Sequence, residues 1–139
     1  PANDGFGQLW VRLNDPPQAG NNYRVFTQRL SNDNFFVPVK ESVLQDKLFN
    51  GTTIDLVFER GNIPGISDVN VGFFQIGDTV VVKWCVIDRQ HFEFWRTAQI
   101  EFENLGNPIA ASTQIATNIK GGLGIWGGYG ADYDTLVIK

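Results

Sequence analysis

Gly77-Asp78-Thr79-Val80-Val81-Val82-Lys83-Trp84-Cys85-Val86-Ile87 is the stretch that decides the fold class. A Gly-Asp turn signal launches a segment that is apolar on both alternating sides and dense in β-branched residues. Such a run is a strand covered on both faces, or the centre of a sheet. β-branched side chains are stiff at χ1 and pack well on a pleated surface, which favours strand over helix here. Cys85, enclosed in this run, reads as a small buried hydrophobe rather than a reactive thiol.

Outward from this segment, other strands show only one apolar face. Between Gly7 and Leu13, Leu9, Val11 and Leu13 alternate with Gln8, Trp10 and Arg12, the period of two expected of a half-buried strand. Asn14-Asp15-Pro16-Pro17 ends it, because proline lacks an N–H and biases its predecessor to extended geometry. Tyr23 to Leu30 resumes, with Tyr23, Val25 and Thr27 on one side and Arg24, Phe26 and Gln28 on the other, joined to the first by a hairpin or a wider corner. Phe35 to Val39 reads as extended, confined by Pro38 to an edge or an irregular piece. Val43, Leu44 and Leu48 fall loosely at helical spacing, so a short helical turn is expected between Glu41 and Phe49. Asn50-Gly51 is a turn dipeptide, and Thr52 to Glu59 is a strand in which Ile54, Leu56 and Phe58 alternate with polar neighbours.

Residues 60–75 read as a long connection rich in Gly, Pro, Asp and Asn. Asp88 to Glu103 fits both periods: Phe92, Phe94, Ala98, Ile100 and Phe102 alternate as in a strand, while Phe92, Trp95, Gln99 and Phe102 follow helical spacing after a possible Asp88 cap. Thr113 to Ile119 is expected to form a short strand and Thr135 to Ile138 a closing one. Crossover helices for a parallel sheet are missing, so the expectation is an all-β fold, an antiparallel β-sandwich or flattened barrel, in a single domain over residues 1–139.

Composition narrows the function classes. The net charge of −4, from 15 acidic and 11 basic residues without runs, argues against nucleic acid and against an anionic membrane surface as partners. Eleven Phe and four Trp with fifteen Gly and no Met suit β-structure better than a helical bundle. A single cysteine excludes an internal disulfide framework and any zinc site needing several thiolates. The chain shows neither a signal-peptide pattern nor an apolar run long enough to span a bilayer, and Pro1-Ala2-Asn3-Asp4 looks like a trimmed start.

The least ordinary segment is Asn118-Ile-Lys-Gly-Gly-Leu-Gly-Ile-Trp-Gly-Gly-Tyr129. Gly122-x-Gly124-x-x-Gly127 formally matches the dinucleotide fingerprint, but no helix is expected after it, and a turn or kink between two strands is the better reading. His91 is the only histidine, expected to be structural and partly exposed; a Cys85–His91 dyad would need the buried thiol in solvent. Asp132 and Asp134, with Asp68 and Asp78, have oxygen donors suited to calcium, yet they follow no known spacing and read as solvated turn residues. No catalytic residue, metal or cofactor is therefore assigned. Trp126 and Tyr129, set among glycines too small to cover them, together with Trp10 and Trp95, are the candidate ligand-binding residues, suited to a sugar ring or a peptide. Their alternative role is to plug a barrel end or the space between sheets. Asn50-Gly51-Thr52 matches a glycosylation sequon, a weak signal on its own.

The ordered set Asn14-Asp-Pro-Pro with Asn22-Tyr23, Leu48-Phe-Asn-Gly51, Gly77-Asp-Thr-Val-Val-Val, Phe92 to Trp95, Asn107-Pro108 and the glycine-rich ending resembles domain-of-unknown-function family 4249 of Bacteroidota lipoproteins. The resemblance spans nearly the whole chain and implies the carboxy-terminal portion of a longer member. It also implies that the aromatic segment after Asp88 is one short α-helix, near residues 89–99. Its members are exported, lipidated on an amino-terminal cysteine, and often encoded beside TonB-dependent outer-membrane receptors. The implied location is the cell envelope, at the outer membrane or cell surface, with a lipid anchor outside this stretch. The implied role is a non-enzymatic accessory or binding module of nutrient uptake, with such a receptor as partner and a glycan or peptide as ligand. A structural β-scaffold, or a hydrolase using His91, Asp132 and Asp134, is the alternative.

Overall fold

Alternation along Thr79–Ile87 sends Val80, Val82 and Trp84 to one side and Cys85 and Ile87 to the other, and both sides are covered. The computed structural model describes residues 5–61 and 72–139. Its strands are β1 (Phe6–Gly7), β2 (Leu9–Asn14), β3 (Asn22–Arg29), β4 (Val37–Gln45), β5 (Thr53–Phe58), β6 (Phe74–Gln75), β7 (Thr79–Ile87) and β8 (Gly130–Val137). A 3-10 turn, Asp46–Leu48, follows β4, and helix α1 (Arg89–Asn104) follows β7. The order β4-β3-β7-β8 forms one antiparallel sheet, while β2 pairs with β5 as a separate ribbon and β1 with β6 as a short one.

The β2–β5 ribbon covers one face of the four-stranded sheet, and α1 covers part of the other, over β3 and β4. Leu9 and Phe58 from the ribbon meet Val25, Val39, Val80 and Val82 from the sheet, with Phe74 and Ile138 closing the cluster. Each such side chain, once fully buried, contributes about 1.5–3 kcal/mol relative to exposure. On the other face Phe92 of α1 seats against Cys85 and Ile87, flanked by Phe26, Val43 and Ala131. The fold is thus the expected mostly-β antiparallel sandwich, and its sheets stay separate and do not close into a barrel.

The connection from β2 to β3 is a corner between sheets, not a hairpin, and two buried carboxylates hold it. Asp15 accepts from the Tyr23 hydroxyl and from the Gly51 amide, and Asp46 accepts from the Gly20 and Asn21 amides, both at 2.8 Å. Acceptor oxygens aimed at backbone N–H groups satisfy donors that a turn leaves unpaired.

Three expectations change. The short helical turn expected between Glu41 and Phe49 narrows to the 3-10 turn Asp46–Leu48, and residues 41–45 belong to β4: Val43 and Leu44, adjacent on that strand, point to opposite covered faces, and Leu48 is almost wholly exposed. Glu41 sits at φ 55, and the register between β3 and β4 shifts beside it, which turns the strand so that Val39 and Leu44 both face the ribbon. Pro38 lies on this edge strand, as a residue without an N–H should.

The helix starts as its cap predicts, with Asp88 accepting the His91 amide at 2.8 Å, but it continues past residue 99 to Asn104, one turn supported by a Gln99–Glu103 hydrogen bond. Residues 113–119 form no strand. Their backbone is taken up by helix side chains instead: Glu101 accepts from the Thr113 amide at 2.7 Å and the Thr97 hydroxyl from the Ala116 amide at 2.9 Å. Much of the expected long connection, residues 62–71, lies outside the described residues.

Buried charge is compensated at one edge. Asp33 accepts from the Arg29 guanidinium at 2.9 Å and from Arg60 at 3.3 Å, with the carboxylate and both arginines buried. Burial alone would raise the Asp33 carboxyl; hydrogen bonds from Arg29 and the two positive charges outweigh it and hold it below the usual range. Asp33→Asn is expected to cost about 3 kcal/mol in urea unfolding, because it removes the charge that two buried guanidinium groups share. A depressed carboxyl contributes its full stability above the unfolded value, roughly pH 4, and loses it as pH falls through the lower folded value. Melting followed from about pH 6 to pH 3 should therefore show the wild type losing more stability than the variant.

Candidate functional site

The glycine-rich segment runs over the outer side of the sheet and is fixed by two side chains that precede it. Asn118 accepts from the Trp126 amide at 2.8 Å and donates to the Trp126 carbonyl at 2.6 Å, a side chain taking the place of a strand partner. Thr117 donates to the Gly124 carbonyl at 2.7 Å. Gly124 sits at φ 138, a geometry L side chains rarely adopt. Gly127 is needed for closeness: a Cβ there would lie 3.1 Å from His91 Nδ1 and 3.3 Å from Asp88 Oδ2.

This loop presents rather than buries its apolar residues. Leu123 and Trp126 are 84% and 85% exposed, and Tyr129 about half. An ordered loop that displays large apolar side chains is the pattern of an interaction surface. The segment is not a strand-to-strand turn, since it enters from the helix-bound residues 113–119 and leaves into β8. No helix opens at Gly127, so the dinucleotide geometry is not formed.

Tyr129 closes back onto the sheet. Its hydroxyl accepts from Lys83 Nζ at 2.9 Å, and its ring centroid is 6.2 Å from that of His91. Lys83 also faces the rings of Phe26, Phe36 and Tyr133 within 5.5–6.0 Å, and the Tyr129 hydrogen bond holds its ammonium above its ordinary value. Beside it, on the same face of the sheet, the Arg24 guanidinium lies 3.4 Å from the Trp95 ring centroid and 4.6 Å from that of Phe26. Burial lowers Arg24 to about 10, which leaves it charged at neutral pH.

His91 is buried, not partly exposed as the sequence suggests, because the first turn of α1 tucks it beneath Gly127. Burial lowers its imidazole, Asp88 pulls it upward, and Arg24 lowers it further. Cys85 is 1% exposed, and burial pushes its thiol up, so it is a poor nucleophile partner for His91.

The four aromatic candidates do not converge. Trp95 and Tyr129 flank Arg24 and Lys83, Trp126 stands outward on the loop, and Trp10 lies on the solvent side of the ribbon. Trp10 instead borders a groove of about 410 Å³ between β2 and β8, floored by Val82, Trp84 and Leu136, with Asp132, Tyr133 and Asp134 along its far wall. Asp78 lies at the far end of the β7–β8 ladder from Asp132 and accepts the Gln75 amide, and Asp68 lies outside the described residues. Among the described residues no three His, Cys, Asp or Glu side chains gather as a metal site. The sequence pattern does not single out Arg24 or Lys83; the available signals were Lys83 inside an apolar strand and Arg24-x-Phe26 on one strand face.

The family model described as a domain of unknown function (DUF4249) matches residues 6–134. No curated protein and no solved structure matches the chain. Asn118→Ala is expected to release the loop without unfolding the sandwich: the Trp126 amide should exchange with deuterium at least tenfold faster, while amides of β7 keep their protection.

Proposed function

We propose that this chain, which belongs to the DUF4249 family, is a non-enzymatic accessory module of outer-membrane nutrient uptake that docks on a TonB-dependent receptor through its glycine loop. The observation that carries this reading is the pair Leu123 and Trp126, displayed on a loop that Asn118 and Thr117 hold in one shape. Prior ordering lowers the entropic cost of association, and a Trp anchor is the commonest kind of energetic centre in an interface. Resemblance to exported lipoproteins encoded beside such receptors supports the cell-envelope setting, the lipid anchor outside this stretch and the partner. Loop docking calls for no reacting group, in keeping with a buried Cys85 and a His91 enclosed by α1 and the loop.

A second surface favours a cargo role for the same module. The groove between β2 and β8 sets Trp84 beside Asp132 and Asp134, with Trp10 at its border, a combination of aromatic surface and carboxylates that suits a sugar ring and its hydroxyls. A peptide with basic side chains is the other ligand of matching chemistry.

Tagged lipoprotein carrying this domain should co-purify the neighbouring receptor from native outer membranes, and Trp126→Ala with Leu123→Ser should reduce recovery at least tenfold with unchanged melting. Equal recovery with the double variant, or no receptor at all, would refute loop docking. For the groove, a glycan and peptide array probed with wild type and Trp10→Ala should show ligands whose signal the variant loses.

A further inference from the structure

We infer that Arg24 and Lys83 form a binding site for a small carboxylate on the outer face of the sheet, between α1 and the glycine loop. The inference stands on this centre alone and is independent of loop docking and of the groove.

The pattern of charge pairing is the first argument. Arg12 reaches Asp55, Lys40 reaches Glu59, Arg96 reaches Glu93, and the buried Arg29 and Arg60 reach Asp33. Where this fold buries a guanidinium at its edge, it supplies a carboxylate. Arg24 departs from that rule: among the described residues it has no hydrogen bond and no ion pair, although the chain carries an excess of acidic groups. The electronegative groups that bear on it are the thiol of Cys85 and the phenol of Tyr129. Neither is a carboxylate, so neither offers Arg24 the acceptor that Arg29 and Arg60 find in Asp33.

The second argument is a set of unsatisfied nitrogens on Arg24, on Trp95 whose ring lies against it, and on His91 beneath the glycine loop. Arg24 Nε, His91 Nδ1 and Trp95 Nε1 are all buried without a partner, and His91 as a whole is only 8% exposed. Buried polar groups are nearly always satisfied, and each exception calls for an explanation, of which an absent ligand is one and a water another. Arg24 supplies a planar fork placed over the Phe26 and Trp95 rings, and such a fork suits bidentate pairing with a carboxylate in its own plane. Lys83 adds a second positive charge, with Tyr129 as its only described hydrogen-bond partner. The rings of Phe26, Trp95 and Tyr129 border the two cations and suit an apolar or aromatic body on the ligand. One fork and one ammonium on a chain of net charge −4 favour a monoanion or dianion over a polyanion.

The test is an NMR titration of the uniformly labelled chain with acetate and with benzoate at constant ionic strength, chloride serving as control. Saturable shifts of the Trp95 indole N–H and the His91 ring are expected, tighter for benzoate than for acetate. Arg24→Gln should weaken benzoate at least tenfold and Lys83→Gln several-fold. Should Arg24→Gln fail to fold, Arg24→Lys keeps the charge, loses the fork and should still weaken benzoate clearly. Shifts that do not saturate, that chloride reproduces, or that persist unchanged in the folded Arg24 variant would overturn the assignment.

Discussion

Everything in this molecule depends on β7 being covered on both faces. A strand with two apolar faces has no stable place at a surface, so the chain must supply a layer for each. The β2–β5 ribbon supplies one through Leu9 and Phe58, and α1 supplies the other through Phe92. The layers are unequal. The ribbon has only two strands and leaves the groove along β8, and the helix lies over β3 and β4, leaving the β7–β8 side to the glycine loop. Both candidate ligand surfaces arise where a covering layer falls short of the sheet beneath it.

The same imbalance explains the electrostatics. Arg29 and Arg60 lie at an edge where the turn after β3 brings Asp33 back within hydrogen-bonding reach. Arg24 lies on the helix-covered face, where the neighbours are rings and a thiol. Stacking offsets part of its desolvation, and none of the described residues supplies the negative charge. His91 and Trp95, both on α1, each leave a buried nitrogen without a partner among the described residues, His91 beneath Gly127 and Trp95 beside Arg24.

The glycine segment joins these features. Its backbone is ordered by Thr117 and Asn118, its closest approach is Gly127 over His91, and its apolar tips face outward. Glycine is required for the left-handed turn at Gly124 and for the approach at Gly127, not for phosphate binding. The loop therefore has two sides, one displaying Trp126 and one lowering Tyr129 onto Lys83.

Strand periodicity in β2, β3, β5 and β7, the Asn50-Gly51 and Gly77-Asp78 turns, the edge position of Pro38 and the Asp88 cap were all legible in the sequence, because each is decided by side chains within a few residues. That Trp10 would be exposed followed from its place on the polar side of an alternating strand. The end of α1, the absence of a strand at residues 113–119 and the burial of His91 were not legible, since they depend on which side chains of α1 reach a distant backbone. The turn between Glu41 and Phe49 was legible but not its extent, because Val43 and Leu44, adjacent apolar residues, look helical until both faces of their strand are known to be covered. The sequence by itself determined an antiparallel sandwich built on one doubly buried strand and a glycine loop that must bend. Only the tertiary structure decided that Arg24 and Lys83 both lie over the Phe26 ring with no carboxylate paired to either among the described residues, because partners set far apart in the chain are brought together by packing and not by local propensity.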